Sequence, residues 1–400
     1  MRSAVALLAV SLVACGALLG GDEDDSGGSS SGSSGRTGDA SADDGSNADA
    51  SGGSDARVDG DVALGCSVPA GPIGTCAVSA GGCQTQTLIG ARTNQYDERA
   101  YGITTTPAEI VWIAQSPTES ATPTNTWGAG TVFVVSKGAP STLPRKLADN
   151  QYRATEIVLD GRTAYWVAAT ANAPDARISM VLRSVSLDCA TPCTPNDVSA
   201  PFDAQDSVVR LVHPSTKTFV FVDAAGTSYV ATQTAPTAFT VTANPVAPLS
   251  PPPSLAVIPP KAWFGSATSD TLLSYDVDTQ QVSILPTGIN PQALVSTCDG
   301  FYVASMPPAG GDPHLYRVEL SGLTSDALTA ISDPSDLGVD ATFVYVASVT
   351  GSGLTRIARQ SATLSADVLS AKPIARIAVT DEGIYWGDNQ YGGLYLTKKN

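Results

Sequence analysis

The chain has 400 residues, of which 42% are hydrophobic and 15% are charged, so it can bury a large core. Its formal net charge is −16, with 22 Lys and Arg residues against 38 Asp and Glu residues. Proteins that bind nucleic acids need a basic surface, and this charge balance argues against a nucleic-acid partner.

The first 21 residues, 1–21, have the layout of an export signal, in which Arg2 precedes an apolar run over residues 4–14. The run is shorter than the ~20 residues that are needed to cross a bilayer. It ends in the sequence LVAC at Cys15, which resembles the lipobox of bacterial lipoproteins. The resemblance implies that Cys15 is acylated and that the protein is exported and lipid-anchored to the cell envelope. The alternative is an ordinary signal that is cleaved after Ala17.

Residues 22–62 contain Ser, Gly, Ala and Asp and almost no side chain that could be buried. Eleven acidic residues against two arginines give this segment a net charge of −9. Such a composition cannot offset the entropy of ordering, so we predict a disordered linker whose ends lie roughly 35 Å apart. Residues 63–82 form a cysteine-containing lead-in to the folded domain.

A pattern of short β-prone runs recurs seven times over residues 83–400. In each unit an apolar residue is followed eight positions later by a large one, and a third run usually comes after it. The seven large residues, which we call the anchors, are Val111, Tyr165, Phe219, Trp263, Tyr302, Tyr345 and Tyr385. They are 39 to 54 residues apart. Four short strands at such a period are typical of a β-propeller, and the sequence therefore predicts an all-β, seven-bladed β-propeller rather than a β-sandwich.

The chain ends after the third strand of the seventh unit. The run from Cys83 to Ala91 precedes the first unit and has no hairpin partner of its own. We predict that it completes the seventh blade as the outer strand, because this closes the ring and removes an open sheet edge.

Two of the anchors begin the sequences YWVA at Tyr165 and YWGD at Tyr385. These resemble the second-strand motif of YWTD-type propellers, and related patterns occur in TolB-like periplasmic proteins. The Thr-Asp half of the motif is present only as Gly387-Asp388. The resemblance supports the fold and implies no ligand, and we expect the aromatic anchors to pack between blades.

Six cysteines follow Cys15 in the chain, and in an exported protein an even number indicates disulfides rather than zinc. They are Cys66, Cys76, Cys83, Cys189, Cys193 and Cys298. We predict that Cys189 pairs with Cys193. We also predict that one of the three cysteines near the lead-in pairs with Cys298, with Cys66 or Cys76 favoured, because that segment approaches the face that carries Cys298.

The sequence contains no recognisable catalytic or metal-binding cluster. The two histidines, His213 and His314, lie in different units and have no metal ligands at suitable spacing. Four aspartates recur between the first and second strands of their units, and a metal-binding ring is one interpretation of them. Turn formation is the simpler one, since Asp suits tight turns. The four are Asp160, Asp299, Asp340 and Asp381.

Propellers usually bind ligands through the loops between the second and third strands of each blade. Several of these loops are long here, and we place Trp127, Arg177 and His314 in them as weak binding candidates, since aromatic and Arg side chains often anchor interfaces. Tolerated surface insertions are the alternative.

Together these features predict a monomeric, membrane-anchored extracytoplasmic binding or scaffold module that has no catalytic residues, metal or cofactor. We expect its partner to be an envelope or extracellular protein or a glycan. Two alternatives remain open. One is a metal-dependent hydrolase or lyase of the lactonase type, and the other is an envelope assembly factor.

Overall fold

The computed structural model describes residues 68–70, 85–89, 99–115, 130–139, 143–171, 178–251, 253–306, 313–322, 329–331, 333–349, 353–359, 366–388 and 392–399. All of these fall in one compact unit that runs from Gly60 to Asn400. The other unit, Met1–Asp59, lies outside them. The predictions of an export signal, of acylation at Cys15 and of a disordered linker over 22–62 therefore concern residues outside the described part of the chain.

The described residues form 29 β-strands and no helix, which confirms the all-β fold. In particular, no described segment is a helix long and apolar enough to cross a membrane. The strands before and in the first three blades are β1 (Thr85–Ile89), β2 (Arg99–Thr105), β3 (Glu109–Gln115), β4 (Gly130–Ser136), β5 (Arg145–Ala148), β6 (Ile157–Asp160), β7 (Thr163–Ala169), β8 (Ile178–Ser186), β9 (Asn196–Asp197), β10 (Phe202–Ala204), β11 (Val208–Ser215), β12 (Thr218–Asp223), β13 (Ser228–Ala235) and β14 (Ala238–Ala243). Those of the last four blades are β15 (Ser254–Ile258), β16 (Lys261–Gly265), β17 (Thr271–Asp276), β18 (Val282–Pro286), β19 (Asn290–Ser296), β20 (Gly300–Met306), β21 (His314–Glu319), β22 (Thr329–Ala330), β23 (Pro334–Val339), β24 (Phe343–Ser348), β25 (Leu354–Ala358), β26 (Ala366–Ser370), β27 (Ile374–Val379), β28 (Gly383–Asp388) and β29 (Leu394–Lys398).

The strands make seven antiparallel sheets, which are the seven blades predicted from the repeat. Blade 1 is β2-β3-β4-β5, blades 3 to 6 follow the same order in steps of four from β11 to β26, and blade 7 begins with β27. Blade 2 differs from the prediction because it has a fifth strand: β9 and β10 both pair with β8. All seven anchors lie in the second strand of their blade, as the repeat predicted.

The first strands of the blades form the inner ring of the propeller. Each of these strands contacts the first strand of the next blade, and the ring closes where β27 meets β2. We call the end of the ring with the turns between first and second strands the turn face. The opposite end, where the second and third strands are joined, is the loop face.

The core is divided into seven apolar clusters, one between each pair of neighbouring blades. Six anchors are buried within these clusters, and Tyr165 is half-buried beside Phe219 at a ring distance of 4.6 Å. The prediction that the anchors pack between blades is therefore confirmed. Since each blade is apolar on both faces, no blade can bury its side chains without two neighbours.

The N-terminal strand closes the ring as predicted. Strand β1 pairs antiparallel with β29, so that Thr85 lies opposite Thr397 and Thr87 opposite Tyr395. The hydroxyls of Thr85 and Thr397 are 3.0 Å apart. Leu88 adds its side chain to the cluster between blades 7 and 1, which gives the strand a packing role in addition to its hydrogen bonds.

Three residues of the lead-in lie across the turn face, where the direction of the chain predicted them. The carbonyl oxygen of Pro69 accepts a hydrogen bond from the Ala341 amide at 2.9 Å. The Ala70 amide donates to Asp381 at 2.7 Å, and the Val68 side chain packs against the cluster shared by blades 5 and 6. We call residues 68–70 the strap.

Candidate functional site

Four charged side chains meet in the central channel at the end nearest the loop face. Arg210, Asp336 and Arg376 each occupy the third position of an inner strand, and Glu156 immediately precedes β6. They belong to blades 2, 3, 6 and 7, so the group connects both sides of the ring. We call these four residues the channel network.

The channel network is a chain of alternating charges. Glu156 Oε1 lies 2.6 Å from Arg376 Nε and 3.2 Å from Arg210 Nη1. Arg210 Nη1 is in turn 3.4 Å from Asp336 Oδ1. Each side chain is only 14 to 19% exposed, so both partners of each pair are largely removed from water. A buried pair of this kind holds its partners in place even where it adds little net stability.

Backbone groups of the inner strands complete the network. Arg210 donates to the Ser335 carbonyl at 3.0 Å, and Arg376 donates to the Val209 carbonyl at 3.1 Å. Asp336 Oδ2 accepts from the Ile377 amide at 3.0 Å. Inner strands expose one unpaired backbone edge to the channel, and these side chains satisfy part of it.

The two arginines of the network have pKa values shifted in opposite directions. Burial lowers the pKa of Arg210, and the positive charge of Arg376 lowers it further. Burial acts in the same sense on Arg376, but Glu156 and Asp336 outweigh it, so that the pKa of Arg376 is raised. A guanidinium remains charged at physiological pH in either case.

A cavity of about 250 Å³ adjoins the network within the channel. All four charged residues line it, and its remaining wall is mostly aliphatic, with Ile103, Val212, Val257, Val295, Leu337 and Ile377 among the lining residues. A cavity that combines a few charged groups with apolar side chains is typical of small-molecule sites.

A second, larger hollow of about 700 Å³ lies on the turn face between the strap and blades 7 and 1. Lys137 and Glu382 form an ion pair in its wall at 2.5 Å, and the Tyr385 hydroxyl donates to Glu382 at 2.7 Å. Burial alone raises the pKa of Glu382, but Lys137 and Tyr385 more than offset this and hold it below its usual range. Glu382 is therefore ionised and already partnered, which makes it a poor general base.

Of the three predicted binding residues, the described part of the chain includes only His314. Trp127 and Arg177 lie outside the described residues, so their role in binding stays a prediction. His314 is placed differently from the prediction: it is the first residue of β21, not part of a loop. It pairs in register with Ser305, and its ring lies 6.2 Å from that of Tyr316.

Three of the four recurrent aspartates, Asp299, Asp340 and Asp381, lie in the turns between first and second strands, whereas Asp160 is the last residue of β6. Asp340 accepts hydrogen bonds from the amides of Thr342 and Phe343 at 2.8 and 2.7 Å, which is the geometry of a turn stabilised by its own side chain. Asp299 pairs with Arg317, and Asp381 holds the strap. Among the described residues, no group of three or more His, Cys, Asp or Glu side chains could hold a metal ion.

The cysteine predictions have separate outcomes. Cys189 and Cys193 form a disulfide with Cα atoms 5.6 Å apart, as their spacing predicted. Cys298 is also disulfide-bonded. Its predicted partners Cys66, Cys76 and Cys83 lie outside the described residues, so this pairing stays a prediction.

The channel network was not found from the sequence, although a signal for it is present. Each of the strands VVRLV, PSDLG and IARIA carries one charge at its third position within an otherwise apolar or small run. Alternation within one strand cannot show that the charges of four blades meet. They meet because the ring closes and places the inner strands of blades 2, 3, 6 and 7 around one channel.

Comparison with known proteins supports the fold and does not identify a family. No family model matches the chain, and no curated protein matches it. Among solved structures, the chain resembles the β-propeller domain of the Trilobed protease from Pyrococcus furiosus, described as having an open velcro topology. The TM-score is 0.53 and the identity 9%, over 76% of this chain and 98% of that one.

It also resembles the WD40 β-propeller domain of Doa1, with a TM-score of 0.50 and 12% identity over 78% of this chain and 96% of that one. Likenesses at this identity show the fold alone. The chain is therefore an all-β protein of the seven-bladed propeller class. Its resemblance to YWTD-type and TolB-like propellers stays a prediction.

Proposed function

We propose that this protein is an exported binding or scaffold module, attached to the cell envelope by a lipid on Cys15 and displayed on the acidic linker over 22–62. The observation that supports a binding role most directly is the closed ring, which surrounds a cavity in its channel and in which Glu156, Asp336 and Glu382 are held in ion pairs. Such a scaffold presents loops and a cavity to a partner, and carboxylates that are already ion-paired are poor general bases. The partner is an envelope or extracellular protein or a glycan.

Export is supported by the cysteines as well as by the first 21 residues. The Cys189–Cys193 disulfide closes a small loop after β8, and disulfides persist in oxidising compartments.

The anchor is tested by fractionating cells that express the Cys15→Ala variant. We expect the variant to leave the membrane fraction or to keep its signal uncleaved, because acylation precedes cleavage in lipoproteins. The matched control is Cys189→Ser with Cys193→Ser, which removes a disulfide and leaves the anchor intact. Unchanged fractionation and processing of Cys15→Ala would contradict the lipoprotein assignment.

The binding role is tested by pull-down from envelope extract, with metal analysis of the purified full chain in parallel. Capture of a defined protein or glycan supports the proposal if an excess of soluble propeller prevents that capture. A stoichiometric divalent ion together with lactone or glycan turnover would favour the hydrolase or lyase instead.

A further inference from the structure

Two neighbouring groups of the channel network have hydrogen-bonding capacity left over. Arg210 donates through Nη1 and Nη2, and the described residues provide no hydrogen-bond acceptor for its Nε. Glu156 accepts through Oε1 from both arginines, and within the described part of the chain its Oε2 has no hydrogen-bond donor. One cationic donor and one anionic acceptor therefore remain side by side, linked by the 3.2 Å ion pair between the two residues.

Arg210 and Glu156 both line the cavity of about 250 Å³ in the channel, and each side chain is 14% exposed. A ligand in the cavity would thus reach them without displacing the existing ion pairs. The charges of the network balance, with two arginines against two carboxylates. A simple anion would meet Glu156 and Asp336, and a simple cation would meet the arginines, so either would be repelled by half of the network.

Part of the cavity wall is aliphatic and can accept an apolar ligand group. Ile103, Val212, Val257, Val295 and Ile377 present branched apolar side chains, which gain from covering apolar ligand surface. At the ~30 Å³ that a water molecule occupies in the liquid, the cavity volume of about 250 Å³ corresponds to about eight water molecules, which leaves room for a ligand of about eight or nine non-hydrogen atoms. That is the size of leucine or valine.

From these observations we propose that the central cavity is a binding site for a small zwitterion with an aliphatic side chain, of the class of the free branched-chain α-amino acids. The ligand carboxylate accepts from Arg210 Nε, and its ammonium donates to Glu156 Oε2. Its side chain lies against the aliphatic wall. This site goes beyond the proposed function, since it depends neither on the lipid anchor nor on a protein or glycan partner.

Calorimetric titration of the purified full chain with L-leucine tests the site. Three probes serve as matched controls: 4-methylpentanoate carries the carboxylate without the ammonium, 3-methylbutylamine carries the ammonium without the carboxylate, and glycine lacks the side chain. We expect saturable 1:1 binding of leucine and at least about tenfold weaker binding of each control, a factor that corresponds to ~1.4 kcal/mol. Absence of saturable leucine binding up to about 10 mM would overturn the proposal, as would equal binding of either half-ligand.

Two variants place the site without disturbing the network. Val257→Phe fills the cavity from β15, whereas Val282→Phe adds the same bulk to the exposed outer strand of the same blade. We expect Val257→Phe to lose leucine binding by at least about tenfold and Val282→Phe to keep it, with both variants folded by circular dichroism. Leucine affinity retained in a folded Val257→Phe variant would place the site elsewhere and overturn the proposal.

Glu156→Gln tests the polar end. It keeps the size of the side chain and removes the charge that the ammonium needs, so leucine affinity is expected to fall while 4-methylpentanoate affinity rises. A merely structural role for Glu156 would lower the affinity for both ligands together, and that result would contradict the assignment. None of these readouts depends on the anchor, so failure here leaves the proposed function untouched.

Discussion

Asp340 links three parts of the molecule through one carboxylate. Its Oδ1 holds the turn between β23 and β24, and its Oδ2 accepts from the hydroxyl of the anchor Tyr345 at 2.7 Å. Lys399 Nζ lies 2.9 Å from the same oxygen and donates to the Ala70 carbonyl of the strap. Burial raises the pKa of Tyr345, and its hydrogen bond to Asp340 raises it further. A residue that favours turns by propensity thus also fastens the C-terminus and the strap.

Replacing Asp340 by Asn should destabilise the protein strongly. Both Asp340 and Lys399 are buried, at 0 and 3% exposure, so the substitution leaves a buried ammonium without its counter-charge. Loss of one partner of a buried pair typically costs about 3–5 kcal/mol. Urea denaturation of Asp340→Asn measures the change.

Asp299→Asn is the matched control, because Asp299 pairs with Arg317 at 2.7 Å on the surface, with 59 and 37% exposure. Exposed pairs contribute about 0–1 kcal/mol, so little change is expected. Equal effects of the two substitutions would show that the buried Asp340–Lys399 pair contributes no more to stability than an exposed ion pair.

Gly387 shows why the chain departs from the YWTD pattern at its third position. A Cβ at residue 387 would lie 2.3 Å from the Cβ of Ala100, which belongs to the inner strand of blade 1. A threonine there would push apart blades 7 and 1, which meet where the ring closes. The absence of a side chain lets the two blades approach.

The Gly387→Ala substitution is therefore expected to destabilise the fold by about 1–3 kcal/mol, as overpacking does in cores. Gly138→Ala provides the control, since the nearest atom to a Cβ at residue 138 is the Ser136 hydroxyl at 3.8 Å. We expect that substitution to be neutral in the same urea measurement. A neutral effect of Gly387→Ala would mean that blades 7 and 1 can move apart enough to accept the added methyl group.

At the scale of elements, the sequence predicted the strands that recur in every blade and missed features that occur in one blade only. The second strands were predicted because each restarts the same apolar register and carries a large anchor near its start. The fifth strand of blade 2 was missed because Asn196–Asp197 is two exposed polar residues with no apolar alternation. His314 was assigned to a loop because Pro and Gly precede it, yet the pairing of β20 with β21 reaches it.

The strap narrows the choice of partner for Cys298. Val68 packs on the cluster between blades 5 and 6, and Cys298 lies in the turn between β19 and β20 of blade 5. Beyond Ala70 the chain is held at Asp381 in blade 7, which is farther around the ring. An extended chain advances ~3.4 Å per residue, so Cys66 is within about 7 Å of Val68 along the chain.

We predict that Cys298 pairs with Cys66. The bridge closes a loop of more than two hundred residues, for which the chain-entropy model gives about 5.5 kcal/mol. Non-reducing peptide mapping should recover the two cysteines in one linked peptide. Cys66→Ser should release a free thiol at Cys298, and Cys76→Ser should not; the reverse pattern would exclude this pairing.

At the scale of the whole molecule, stability depends on closing the ring. Each apolar cluster is shared by two blades, so an open propeller would leave the faces of blades 7 and 1 exposed to water. The strand that prevents this comes from the start of the folded domain and pairs with the last strand of the chain. Deleting residues 83–91 should therefore expose both the β29 edge and the cluster that Leu88 covers, and the product should aggregate. Deleting residues 22–61 should leave the melting transition unchanged.

The register in which β1 pairs with β29, which we call the seam, provides a sharper test of ring closure than deletion alone. Thr85, at the start of β1, lies opposite Thr397, near the end of β29, so the two strands would form a hairpin if a short turn joined them in the order β29 then β1. Moving residues 83–91 to follow Asn400 through a short Gly-containing turn should restore a soluble, cooperatively melting protein. Rescue by the moved strand, and none by a copy with Leu88→Asp, would show that the seam needs both the backbone pairing and the buried side chain. A soluble, cooperative product of the simple deletion would instead mean that the ring holds together without its seventh outer strand.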